Sequence, residues 1–265
     1  MSGTWSPARI PDAGARRRMR ALGRAEMTLL LRNRTALFVA LLMPVGMVGM
    51  SWSSSRELDL AGTGLSRGEA VLTGGVGLVL VMVVYLGLVP TYVARREERV
   101  LKRLRTGELT DAEIMAGTAL PAAALAVAQC VVLVASGSVV LDVAAPRQVP
   151  LLIVGLVMGV VLLTACAAAT ASFTRTVESA QITGLPLLMV SVVGSGLYVP
   201  LEVLPDRVAD VCRLLPLTAV VELIKGGWLG GLDGTGLLRA LGLAVAWTAL
   251  AVFAVRRWFR WEPRH

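Results

Sequence analysis

Two long stretches without a single charged residue flank a dense island of charge. Val71 to Ala94 is 24 residues long and Ile114 to Leu141 is 28. Each exceeds the roughly 20 residues that a helix needs to cross a hydrocarbon core about 30 Å thick. Between them Arg95 to Glu113 reads RREERVLKRLRTGELTDAE, in which six residues are Lys or Arg. The island therefore joins two membrane spans. Dense positive charge predicts that such a loop stays on the cytoplasmic face.

Composition supports the same class. Hydrophobic residues make up 55% of the chain and aromatics only 5%, with a mean hydropathy of +0.71. That aliphatic excess suits helices bathed in lipid better than a globular core. Four further apolar runs follow the same pattern: Ala36–Trp52, Leu151–Phe173, Ala180–Pro200 and Leu237–Val255. The expected fold is all-α, a polytopic membrane protein whose six transmembrane helices occupy residues 36–255. An even count places both termini on one side. That side, with the island, carries 19 Lys and Arg against 7 on the other, which predicts cytoplasmic termini in the plasma membrane. The net charge of +8 flanks apolar runs, so orientation and anionic lipid headgroups account for it, and no nucleic-acid partner is expected.

Residues 1–35 read as a cytoplasmic tail containing an interfacial helix. On a helical projection of Arg16 to Asn33, Met19, Leu22, Ala25, Leu29 and Leu30 share one arc. Arg17, Arg20, Arg24 and Arg32 share the other, the pattern of a helix lying in the membrane plane. Glu26 falls within the apolar arc and is expected to face protein. The first apolar run starts only at residue 36, behind an arginine-rich front, so no cleaved leader is expected. Residues 256–265, with Trp258, Phe259 and Trp261 among arginines, read as a C-terminal interfacial anchor.

Absent chemistry narrows the function. The chain has no GxxxxGK[ST] phosphate loop, no GxSxG and no HExxH, and its single histidine is the last residue, His265. Cys130, Cys166 and Cys212 are scattered and suggest neither a disulfide framework nor a metal. No enzymatic activity, cofactor or metal is expected of the chain itself. Its acidic residues read as lying in loops or at span edges, leaving an uncharged conduit without a driving force of its own. Such a conduit favours a hydrophobic or amphiphilic cargo, such as a drug-like metabolite or a lipid, over an ion.

After the fifth run, Pro200, Pro205 and Pro216 break residues 200–235 into short pieces. Half-helices over Val208–Leu215 and Ala219–Leu229 are predicted at the outer face. They could dip back into protein-lined space as an exit gate, or cap the outer leaflet.

Three segments in order resemble the membrane-spanning subunit of type-2 ABC exporters. The first is AEMTLLLRNRTALFVALLMPVGM, with Glu26, Arg32, Asn33, Arg34 and Pro44 in the family's pattern. The second is the island, where Arg96, Glu97, Glu98, Leu101, Leu104, Thr110 and Gly117 match and Val100 replaces the Gly or Thr of many members. The third runs from Gly196 to Trp228, with Pro200, Glu202, Leu204-Pro205 and Leu215-Pro216-Leu217-Thr218. The resemblance implies a permease that pairs with a second copy or a sister permease and docks separate ABC ATP-binding subunits, which bind the ATP. It implies docking through the cytoplasmic loop 95–113, with Arg96, Glu97, Glu98, Val100, Leu101 and Leu104 as coupling residues. The apolar cluster Val100, Leu101 and Leu104 amid charge suits a small interface on its own account. The gate residues are then Pro200, Glu202, Pro205, Pro216 and Thr218. A non-transporting membrane scaffold or sensor subunit is the alternative.

Overall fold

The computed structural model describes residues 66–98, 110–140, 143–197 and 204–259, with Thr28, Phe38, Leu42, Gly46, Gly49, Met50, Trp52, Ser53, Val100 and Leu201 individually. The interfacial-helix residues Met19, Leu22, Glu26 and Arg32 lie outside these, as do Leu101, Leu104, Pro200 and Glu202. Most of the first apolar run lies outside them too.

Local chemistry starts each long helix. Ser66 caps α1 (Arg67–Val79), with Glu69 N–H donating to Ser66 Oγ and Ser66 N–H donating to the Glu69 carboxylate. The chain continues through a π-helical stretch, Leu80–Leu86, into α2 (Gly87–Glu97). The wide turns end at Leu86, the residue whose carbonyl meets the ring of Pro90 and finds no N–H there. Thr110 and Glu113 form a second capping box before α3 (Asp111–Val140). Pro150 occupies the first turn of α4 (Val149–Phe173), where its missing N–H costs nothing.

The fifth run departs from expectation. A single helix was predicted over Ala180–Pro200. The chain instead forms α5 (Val177–Thr183) and α6 (Leu185–Gly194), interrupted at Gly184. Pro186 cannot donate to a continuing ladder, so the helix restarts there. Then come α7 (Asp206–Cys212), α8 (Pro216–Leu229) and α9 (Gly234–Trp258), the last capped by Asp233.

Among the described residues five segments are long and apolar enough to cross a membrane: Arg67–Glu97, Asp111–Ala135, Val149–Phe173, Val177–Gly194 and Gly234–Trp258. They coincide with the second to sixth predicted runs. No strand occurs among the described residues. The fold is an all-α polytopic membrane bundle. Its centre is Arg67–Glu97, 78% of whose apolar window is buried, against 22% for Gly234–Trp258. On the outer helices Val131, Ile153, Val157, Leu250 and Phe253 stay exposed, as lipid-facing side chains do.

Candidate functional site

Two ends of the bundle hold the candidate residues. At the island end, α2 finishes on a buried stripe, Tyr85, Val89, Tyr92 and Arg96, spaced four, three and four residues apart along one face. Each of its polar members reaches a neighbouring helix. Tyr85 Oη lies 3.0 Å from Thr170 Oγ1 of α4, and Tyr92 donates to the carbonyl of Met115 in α3 at 3.0 Å. Arg96, with no exposed surface, donates to the carbonyls of Ala171 at 2.9 Å, Thr174 at 2.5 Å and Arg175 at 3.2 Å.

Those carbonyls belong to the end of α4 and the turn beyond it, where helical partners run out. A guanidinium there satisfies them and meets the negative end of the helix dipole. Arg96 therefore fastens the start of the island to the turn between α4 and α5, and faces inward. Glu97 and Glu98 are exposed and Val100 is half-buried. One side of the island's first turn is thus committed to the bundle and the next two residues to its surroundings.

At the opposite end, α8 lies along α4 through small residues. Gly227 meets the backbone of Leu152, Gly155 meets Leu223 and Ile224, and Gly159 meets Val220. The partners recede along α8 as they advance along α4, so the two helices run antiparallel and α8 penetrates the bundle. A Cβ on Gly227 would stand 2.5 Å from Leu152 N, so the backbones touch only because this residue is glycine.

Pro205 and Pro216 each stand at a helix start rather than breaking a helix: Pro205 caps α7 and Pro216 opens α8. The predicted half-helix bounds, Val208–Leu215 and Ala219–Leu229, shift accordingly. Buried Thr218 turns back and donates to the carbonyl of Cys212 at 2.6 Å, closing the α7–α8 corner. Trp247, midway along α9, donates to the carbonyl of Leu214 at 2.8 Å. The corner thus packs level with the middle of α9.

Residues 37–255 match the ABC-2 family transporter protein family. The chain belongs to the ABC-2 transporter family. It is therefore the membrane-spanning permease of an ABC transporter, a class that associates with an ABC ATP-binding subunit. No curated protein matches it. The match takes in both the island and the α7–α8 segment of this ABC-2 permease, and ends short of both tails.

Two features of the permease were not anticipated. Arg96 was read as a docking residue, and its inward aim was legible only as the continuation of the stripe Tyr85, Val89 and Tyr92. The cleft bordered by Glu222 and Lys225 on α8, and by Arg239 near the start of α9, is the second. The sequence puts Glu222 and Lys225 on the half-helix Ala219–Leu229, and only the packing of α8 against α4 and α9 brings them beside Arg239.

Proposed function

We propose that this permease exports a hydrophobic or amphiphilic molecule from the cytoplasm across the cell membrane, driven by ATP hydrolysed on a separate ATP-binding subunit docked at the island. The basic-residue balance of 19 against 7 supports a cytoplasmic island and cytoplasmic termini. The α7–α8 segment then stands at the outer face as the exit gate.

The observation that carries this reading is the Arg96 bond set. An ATP-binding subunit gripping Glu97, Glu98 and the apolar residues beyond them would displace the end of α2. Arg96 and Tyr92 would pass that movement to α4, α5 and α3 together. The permease works with a second permease copy or a sister chain, so that two ATP-binding subunits closing on each other can rock the two halves.

The test uses the complex. Glu97→Lys with Glu98→Lys should abolish ATP-dependent export and weaken retention of the ATP-binding subunit, while the permease still reaches the membrane. Normal export and retention in the double variant would mean that the island is a solvated loop, whereas a wild-type complex that exports nothing would make the chain a scaffold. Labelling of Lys102→Cys from outside intact cells, with Cys130, Cys166 and Cys212 replaced, would reverse the topology.

A further inference from the structure

One face of α8 packs on α4, and the other lines a cleft of about 490 Å³. Thr218, Glu222, Lys225 and Leu229, spaced four, three and four residues apart, form the cleft stripe. Arg239 of α9 and Arg213 of the α7–α8 corner enter from the sides. Among the described residues the lining therefore carries three cations and one carboxylate. Arg239 touches Glu222 at 3.2 Å with its side chain 61% exposed, and Arg213 touches Asp210 at 2.9 Å with both partners exposed. Asp233, adjacent to lining Leu232, also feels Arg239. Exposed pairs of this kind hold their partners weakly, so both guanidinium groups can exchange a carboxylate for a ligand anion.

The floor adds an independent observation. Ser195 is fully buried and lines the cleft, yet its hydroxyl has no hydrogen-bond partner among the described residues. A buried hydroxyl left so costs free energy unless something polar enters the cleft. Apolar walls from Leu201, Val221 and Leu229 complete the lining.

We propose that this cleft is a headgroup site for an amphiphile carrying an acidic group, phosphate or carboxylate. Lys225, Arg239 and Arg213 engage the anion, Ser195 donates at the floor, and the apolar walls take the start of the chain. The inference rests on the export reading for its place on the path: the site is where a cargo, or a lipid of the surrounding bilayer, rests at the outer mouth. Its binding chemistry does not depend on transport.

The experiment measures binding of dodecyl phosphate, with dodecyltrimethylammonium as the matched cation, to the full-length permease in phosphatidylcholine nanodiscs. Dodecyl phosphate should bind at least about tenfold more tightly than the cation. Lys225→Gln and Arg239→Gln should each weaken it about tenfold, Lys225→Arg should retain it, and Glu222→Gln should tighten it. Discs in which phosphatidylglycerol replaces part of the phosphatidylcholine separate the two sources. Competition identifies a bilayer lipid as the occupant, and unchanged affinity identifies a single-chain cargo. Equal binding of the two amphiphiles, or affinity unmoved by Lys225→Gln, Arg239→Gln and Glu222→Gln together, overturns the proposal and leaves the export reading intact. Loss of export on charge reversal at Glu97 and Glu98 is read separately from the cleft.

Discussion

Arg96 of α2 and Thr174 beyond α4 are joined by a hydrogen bond of 2.5 Å from guanidinium to carbonyl, in a site closed to solvent. The two residues are far apart in sequence, and the bond closes the island end of the bundle. A buried charge persists only where its donors are used, so this contact is both a structural staple and the first link between island and bundle.

Replacing Arg96 with Met keeps the side-chain volume and removes the donors to Ala171, Thr174 and Arg175. Stability should fall by about 3 kcal/mol, the cost of leaving several buried carbonyls unpaired. Arg96→Lys should recover part of it, since an ammonium supplies donors without the planar fork. Thermal unfolding of the purified permease checks the order wild type, Lys, Met. In the complex, the Met variant should bind the ATP-binding subunit and hydrolyse ATP while exporting poorly.

Leu104→Asp places a charge in the apolar part of the proposed docking surface. It should weaken association with the ATP-binding subunit at least about tenfold without lowering the melting temperature of the isolated permease. Co-purification at graded subunit concentrations measures the first and a thermal melt the second. A lowered melt with full association would move Leu104 from the docking surface into the bundle.

Pro205→Ala with Pro216→Ala should reduce export while leaving docking intact. Each proline stands at a helix start: without Pro216 α8 can extend back across Arg213–Leu215 toward α7, and without Pro205 α7 can extend back toward Leu204. Thr218→Val tests the same corner by another route. It removes one of the two hydrogen bonds that the Cys212 carbonyl accepts, leaving the one from Leu215 N–H, and should cost about 1 kcal/mol. Export by either variant at the wild-type rate would make the α7–α8 corner irrelevant to the gate.

Gly227→Ala should destabilise the bundle by about 1–3 kcal/mol, because the new methyl meets the Leu152 backbone, which has no rotamer to yield. Gly242→Ala, with open space around its Cα, is the matched control and should be neutral or slightly stabilising. Melting temperatures of the two variants in one detergent decide it.

Acid should loosen the start of α9. Hydrogen bonds from the Thr235 hydroxyl and the Gly236 amide, with Arg239 nearby, hold the Asp233 carboxyl below its ordinary range. The folded value is depressed, so the cap's contribution is present above the unfolded carboxylate pKa. It disappears as pH falls through the folded value. Asp233→Asn should flatten the melting temperature against pH in that acidic window, and an unchanged slope would assign the effect to other carboxylates.

The sequence by itself determined the class and most of the spans. Charge-free runs such as Val71–Ala94 and Leu151–Phe173 cannot remain in water, and their length matches a bilayer whatever packs around them. Capping chemistry at Ser66, Thr110 and Asp233 is equally local, because each side chain reaches only backbone within three residues. Tertiary structure decided the rest. Arg96 and Glu97 are neighbours of like polarity in a charged island, and only the carbonyls at the end of α4 turn one inward and leave the other out. The α8 sequence, with Glu222 and Lys225, leaves open whether its half-helix dips inward or caps the outer leaflet, and Gly155, Gly159 and Gly227 let two backbones approach so that α8 packs on α4. Hydropathy is summed along the chain, whereas burial depends on which surfaces meet. The inward-facing Arg96 and the charged cleft both arise from contacts between segments far apart in sequence.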